Sequence, residues 1–114
     1  MPQLIYKILS VNEWSAAEGE GIFRGAGIDL VDGYIHFSTA TQAAETAAKH
    51  FAGRDDLVLV AVDAEKLGAA LKWEVSRGGA LFPHLYMPLD LEFVLRVDAL
   101  PLGSDGKHIF PRMA

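Results

Sequence analysis

The residues of this chain best suited to chemistry are His36, in "DGYIHFSTATQ", and His84, in "LFPHLYMP". A histidine carries the one side chain whose unperturbed titration falls near neutral pH, and so can take or give a proton. In "YIHF" the period of two puts Tyr34, His36 and Ser38 on one face and Ile35 and Phe37 on the other. Ser38 and Thr39 lead straight into a helix, whose free N–H groups and positive dipole end suit phosphate or pyrophosphate. The same two hydroxyls serve equally as helix caps. Tyr86 shares the face of His84, and Glu74, next to Trp73 and a Gly-rich loop, is the carboxylate best placed for catalysis. Arg77, followed by two glycines, is suited to clamping an anion. Each has a structural alternative: His36 a hydrogen-bonded strand residue, His84 part of an edge strand fenced by Pro83 and Pro88, Glu74 a solvated strand face, Arg77 a loop charge.

These residues need elements to position them. "QLIYKIL" reads as a first strand with Leu4, Tyr6 and Ile8 on one face, Ile5, Lys7 and Leu9 on the other, and Lys7 its only charge. Ser10 with Glu13 makes a capping box, and Leu9 with Trp14 a hydrophobic staple, so a helix begins at Val11 and ends near Gly19 and Gly21. "GIFRGAGIDLVDGY" reads as turns with a short strand. Thr39 and Gln42 form a second capping box ahead of a helix with Ala40, Ala43, Ala44, Ala47, Ala48 and Phe51 on one stripe, closed by Gly53. "LVLVAVD" is apolar on both faces and belongs in mid-sheet. "AEKLGAAL" suggests one or two helical turns. "LKWEVS" alternates with Leu71, Trp73 and Val75 inward and Lys72, Glu74 and Ser76 outward; "HLYM" and "LEFVLRVDAL" are further strands, and "GSDGKH" is a hairpin turn. The order of elements argues α+β rather than a doubly wound sheet.

At 114 residues the chain is expected to be one domain, residues 1–114. Half the residues are hydrophobic and 22% charged, the balance of a globular protein. With no cysteine, disulfides, thiolate catalysis and cysteine zinc sites are excluded. Net charge is −5 and the ten basic residues are scattered, against a nucleic-acid partner. "MPQLIYKIL" does not read as a secretory leader and no window is long enough to span a membrane, so a cytoplasmic address and no membrane partner are expected. The four histidines lack H-x-x-x-H and H-E-x-x-H spacing, so no metal is expected; nor is there a G-x-S-x-G elbow or a dinucleotide fingerprint.

"IYKIL" followed by "EW", then "DGYIHFSTATQ", then "WE" and "FPHLYMPL" resemble a widespread, chiefly bacterial family of small proteins, domain-of-unknown-function family 952, from Leu4 to about Phe110. That family in turn resembles the ADP-ribosyltransferase fold, in which a split sheet grips NAD in a cleft. The likeness rests on "GYIHFSTATQAAETAAKHF", similar in layout to the segment where an aromatic strand leads through Ser or Thr into a helix.

The resemblance implies a compact α+β domain with a mixed split sheet of about five to seven strands and two main helices. It further implies a cleft for a nucleotide, NAD or ADP-ribose-like, with NAD as substrate and cleavage of an N-glycosidic bond as the chemistry. Catalytic roles fall to His36, Glu74 and His84. Lys7, Tyr34, Ser38, Thr39, Arg77 and Tyr86 would bind the ligand, the two cations meeting pyrophosphate oxygens. The first strand offers Tyr6 and Lys7 where many such transferases carry histidine or arginine. The late strand offers His84, with Glu74 ten residues earlier, in place of the usual glutamate. The alternative is a noncatalytic ligand-binding or protein-interaction domain in which the same polar residues order the cleft. Enzymatic activity, acceptor and oligomeric state stay open.

Overall fold

Local signals in the sequence start both long helices. The computed structural model describes residues 3–113, without the side chain of Arg77. Its elements are β1 (Leu4–Ser10), α1 (Val11–Glu20), β2 (Ile22–Phe23), α2 (Ile28–Asp32), β3 (Ile35–His36), α3 (Ala40–His50), β4 (Leu57–Asp63), β5 (Leu71–Val75), β6 (Leu81–Leu85), β7 (Leu89–Asp90) and β8 (Val94–Ala99). Single 3₁₀ stretches precede β5, β6 and β8. At α1 the Ser10 hydroxyl accepts from Glu13 N at 3.0 Å while Glu13 Oε1 accepts from Ser10 N at 3.2 Å. At α3 Thr39 Oγ1 accepts from Gln42 N at 3.3 Å and Gln42 Oε1 from Thr39 N at 3.0 Å. Each reciprocal box satisfies two otherwise unpaired donors. The α1 helix ends at Gly21 in the left-handed region, φ 83°. The α3 helix ends earlier than Gly53, with Phe51 N donating to Ala47 O, and Gly53 turns the chain beyond it.

The sheets are ordered β1-β4-β8, β2-β7 and β3-β6-β5, and every pairing among them is antiparallel rather than mixed. All seven residues of β4 are buried, as its two-sided apolarity requires of a central strand. One face of its sheet packs Ile5, Leu9, Val60 and Val62 against Trp14, Phe23, Ile35, Phe37 and Leu85. The opposite face packs Tyr6, Ile8, Leu59 and Ala61 against Ala47 of α3 and Leu100. Burying one such aliphatic side chain contributes about 1.5–3 kcal/mol. No helix among the described residues is long and apolar enough to cross a membrane.

The β1 edge meets the β3-β6-β5 sheet at one point. Tyr6 N donates to Ser38 O at 2.7 Å and Ser38 N to Tyr6 O at 2.8 Å. Because peptide groups alternate along a strand, Ile8 turns its N–H and C=O to that same edge. There the sheets separate, and the gap between them becomes a cavity with Ile8 in its wall.

Candidate functional site: two carboxylate-held histidines at a split sheet

β3 and β6 set the site's geometry. His36 and His84 are register partners, so both side chains leave the same face of the sheet. Their ring centroids lie 5.4 Å apart in an edge contact. Tyr34, two residues before His36 on that face, stacks on His84 at 4.3 Å and touches His36 at 4.6 Å and Tyr86 at 5.0 Å. Offset aromatic contacts of this kind hold each ring in one orientation.

His36 is held from both ends by α2. Its Nδ1 lies 2.6 Å from Asp29 Oδ1 and its Nε2 2.9 Å from Asp32 Oδ2. Asp29 is buried and also accepts from His36 N at 3.1 Å, Ala26 N at 3.0 Å and Lys7 Nζ at 2.8 Å. Burial alone would raise its pKa, but the hydrogen bond to His36, then the charge and hydrogen bond of Lys7 and the Ala26 N–H, hold it at about 2. Burial lowers the pKa of Lys7, against the opposing pull of Asp29. The turn before α2 requires glycine at Gly25, where φ is 114° and an added Cβ would lie 3.0 Å from Asp29 Cβ. Asp29 and Asp32 are the site residues that sequence reasoning missed. The available signal was "IDLVDG" itself, with acids four and seven residues before His36 and two αL-favouring glycines around them.

His84 is held from behind. Its Nδ1 lies 2.9 Å from Glu74 Oε1, which also accepts from Tyr86 OH at 2.7 Å. The Tyr86 and His84 hydrogen bonds lower the Glu74 pKa, and the bond to Glu74 pushes the Tyr86 phenol up to about 12. This arrangement corrects the inward and outward faces expected for β5. Trp73 and Val75 are 36% and 70% exposed, while Lys72, opposite His84, and Glu74 share the histidine face. Nor is His84 on an edge strand: β6 is central, with Pro83 inside it. Pro83 O accepts from Phe37 N, so its nitrogen, which has no hydrogen to donate, also points to the side where β3 ends after His36.

A cavity of about 570 Å³ opens against this cluster, with Lys7, His36, Ser38 and His84 in its wall alongside Phe37 and Phe82. It continues past Ile8 to Phe51 and Arg54. The structure thus gathers Lys7, His36, Ser38 and His84 at one cavity and Tyr34, Glu74 and Tyr86 directly behind its histidines. Ser38 Oγ shares a hydrogen bond with Thr46 Oγ1 at 2.9 Å. Thr39 caps α3 and stands outside the wall, and the side chain of Arg77 lies outside the described residues.

The model of a protein family of unknown function, DUF952, matches residues 8–97. The chain belongs to this family. Its match takes in Asp29, Asp32, Tyr34, His36, Glu74, His84 and Tyr86, and begins one residue after Lys7. The crystal structure of protein CC0527 from Caulobacter crescentus is 57% identical, covers 93% of each chain and superposes with a TM-score of 0.89. The solution NMR structure of CC0527 is 59% identical over 91% of this chain and 90% of that one, with a TM-score of 0.83. No curated protein matches. The fold is therefore a DUF952 fold: a small α+β domain of antiparallel strands, built around β4 and split beside β1.

Proposed function

We propose that the cavity between β1 and the β3-β6-β5 sheet is a small-molecule site for a nucleotide-like ligand of the NAD or ADP-ribose type, in an ADP-ribosyltransferase-like split sheet. One observation carries the proposal. His36 and His84, 5.4 Å apart and each met at Nδ1 by a carboxylate, stand in the wall of one cavity of about 570 Å³. A concave, mainly apolar space with a few convergent polar groups is the usual form of a small-molecule site.

The Glu74 contact favours the tautomer with a proton on Nδ1 and a lone pair on Nε2 of His84. That nitrogen has no hydrogen-bond partner among the described residues. It is the group positioned to take a proton from a water or acceptor hydroxyl as the nicotinamide–ribose bond of NAD breaks and nicotinamide leaves. Lys7, held by Asp29, serves by anchoring that carboxylate and through it His36. The split-sheet gap also offers the Ile8 peptide groups to a ligand.

A second reading, binding without reaction, is favoured by the position of Glu74. Its carboxylate faces Tyr86 and His84 and is not in the cavity wall, so it does not supply negative charge beside a bound ribose.

Calorimetric titration with NAD, ADP-ribose and a 2′-phosphorylated nucleotide tests binding. At least one should bind, and His36→Ala or His84→Ala should weaken it by about tenfold or more, the scale of one charged hydrogen bond. Failure of all three to bind would remove the nucleotide proposal. Nicotinamide release from NAD by the wild type, lost in His84→Ala, would select the catalytic reading over the binding one.

A further inference from the structure

The two nitrogens of His36 are bonded differently. Nδ1 faces Asp29, which is buried and fixed by three other donor groups; Nε2, across the ring, faces Asp32, whose side chain is 34% exposed. A carboxylate only accepts, so both contacts are satisfied together only when both ring nitrogens carry a proton. In that state Lys7⁺, His36⁺ and Asp29⁻ carry one positive charge in excess, and Asp32 supplies the balancing negative charge.

Asp32 is weakly committed to that position. Within α2 only Asp29 is buried, while Ile28, Leu30 and Val31 are 57%, 67% and 79% exposed. Asp29 is thus the buried anchor of the helix, and Asp32 closes it one residue before Gly33, which takes φ 84°. Releasing the Asp32 carboxylate to solvent requires movement of the last turn alone. The site is at the cavity's border: His36, Ala26, Gly27 and Ile28 are in the wall and Asp32 is not.

We propose that Nε2 of His36 is a seat for one anionic oxygen of a ligand, from a phosphate or a carboxylate, and that the Asp32 carboxylate holds the seat until such a group displaces it. The inference rests on reading the cavity as a small-molecule site, and it names the ligand feature that site selects. A ligand oxygen on Nε2 restores the charge balance and the hydrogen bond that Asp32 gives up, so the exchange is close to even in the wild type. Removing Asp32 removes the competitor. If Asp32 occupies the seat nine-tenths of the time, affinity for an anion rises about tenfold when it is absent.

The test uses wild type and Asp32→Ala, labelled with ¹⁵N in histidine, titrated separately with inorganic phosphate, acetate and ADP-ribose and followed by NMR. Asp32→Ala should bind phosphate or acetate about tenfold more tightly than wild type. The His36 Nε2 resonance should move to saturation, and adding His36→Gln should abolish the gain. Which of the two ions gains more assigns the seat to phosphate or to carboxylate. Equal affinity in wild type and Asp32→Ala, or saturation that leaves the His36 resonance unmoved, overturns the proposal. The ADP-ribose arm separates the two ideas. A phosphate gain with no ADP-ribose binding keeps the seat and removes ADP-ribose as its ligand; ADP-ribose binding with no phosphate or acetate gain in Asp32→Ala keeps the nucleotide reading and overturns the seat.

Discussion

Asp29→Asn is the most informative single change to the framework. The Asp29 carboxylate accepts from Lys7 Nζ, His36 Nδ1, His36 N and Ala26 N, at 2.6–3.1 Å. An asparagine retains one acceptor oxygen and turns an NH₂ group, itself a donor, toward the remaining donors. Lys7, 9% exposed, then keeps its ammonium without a counter-charge. Breaking a buried ion pair by removing one partner costs about 3–5 kcal/mol. Lys7, already lowered by burial, limits that cost by shedding its proton, which puts the expected loss near the lower end, about 3 kcal/mol. At roughly 2.1 cal/mol/K of unfolding entropy per residue, a 114-residue chain then melts about 12 °C lower. Urea unfolding gives the free energy directly, with Lys7→Met and the double variant Lys7→Met/Asp29→Leu measured beside it. The double variant carries no unpaired buried charge and should recover part of the loss. A cost below about 1 kcal/mol for Asp29→Asn, or a double variant no more stable than the single, would refute the assignment of Asp29 as the anchor of the site.

Three further outcomes are expected. Asp29 has a folded-state pKa of about 2 against an ordinary 3.8, so its contribution, about 2 kcal/mol, is present above pH 4 and is lost as pH falls through about 2. Melting temperatures between pH 5 and pH 2 should fall more steeply for wild type than for Asp29→Asn. Thr39→Ala should cost about 1 kcal/mol by removing the α3 cap while leaving ligand affinity unchanged, measured by urea unfolding and calorimetry, because Thr39 is outside the cavity wall. Val60→Ala, in the fully buried centre of β4, should cost about 2–4 kcal/mol in the same unfolding measurement.

What was legible in the sequence was what neighbouring residues decide among themselves. Ser10 with Glu13 and Thr39 with Gln42 start the two long helices, and "LVLVAVD", apolar on both faces, is the strand covered on both sides. The alternation in "YIHF" likewise placed Tyr34 and His36 together, and that in "HLYM" placed Tyr86 with His84, both on Glu74. What was hidden depended on partners far along the chain. The faces of "LKWEV" read apolar-inward because Trp73 and Val75 are the large residues, but β5 is an edge strand paired only with β6, and His84 draws Glu74 to its own face. Asp29 and Asp32 lie in a glycine-rich stretch with no helical period, and a five-residue helix that meets Lys7 and His36 through its carboxylates leaves little pattern to read. Lys7 appeared as a cation waiting for a ligand because its counter-ion, 22 residues away, was invisible.

The most direct test of the site is an NMR titration of the wild-type protein, ¹⁵N-labelled in backbone and histidine side chains, with NAD and with ADP-ribose. Saturable shifts in the His36 and His84 imidazoles and in the amides of Ile8, Phe37 and Ser38 are expected for at least one of the two ligands, since these residues share one cavity wall. Spectra unmoved at millimolar concentrations of both ligands, or shifts confined to residues away from that wall, would contradict it.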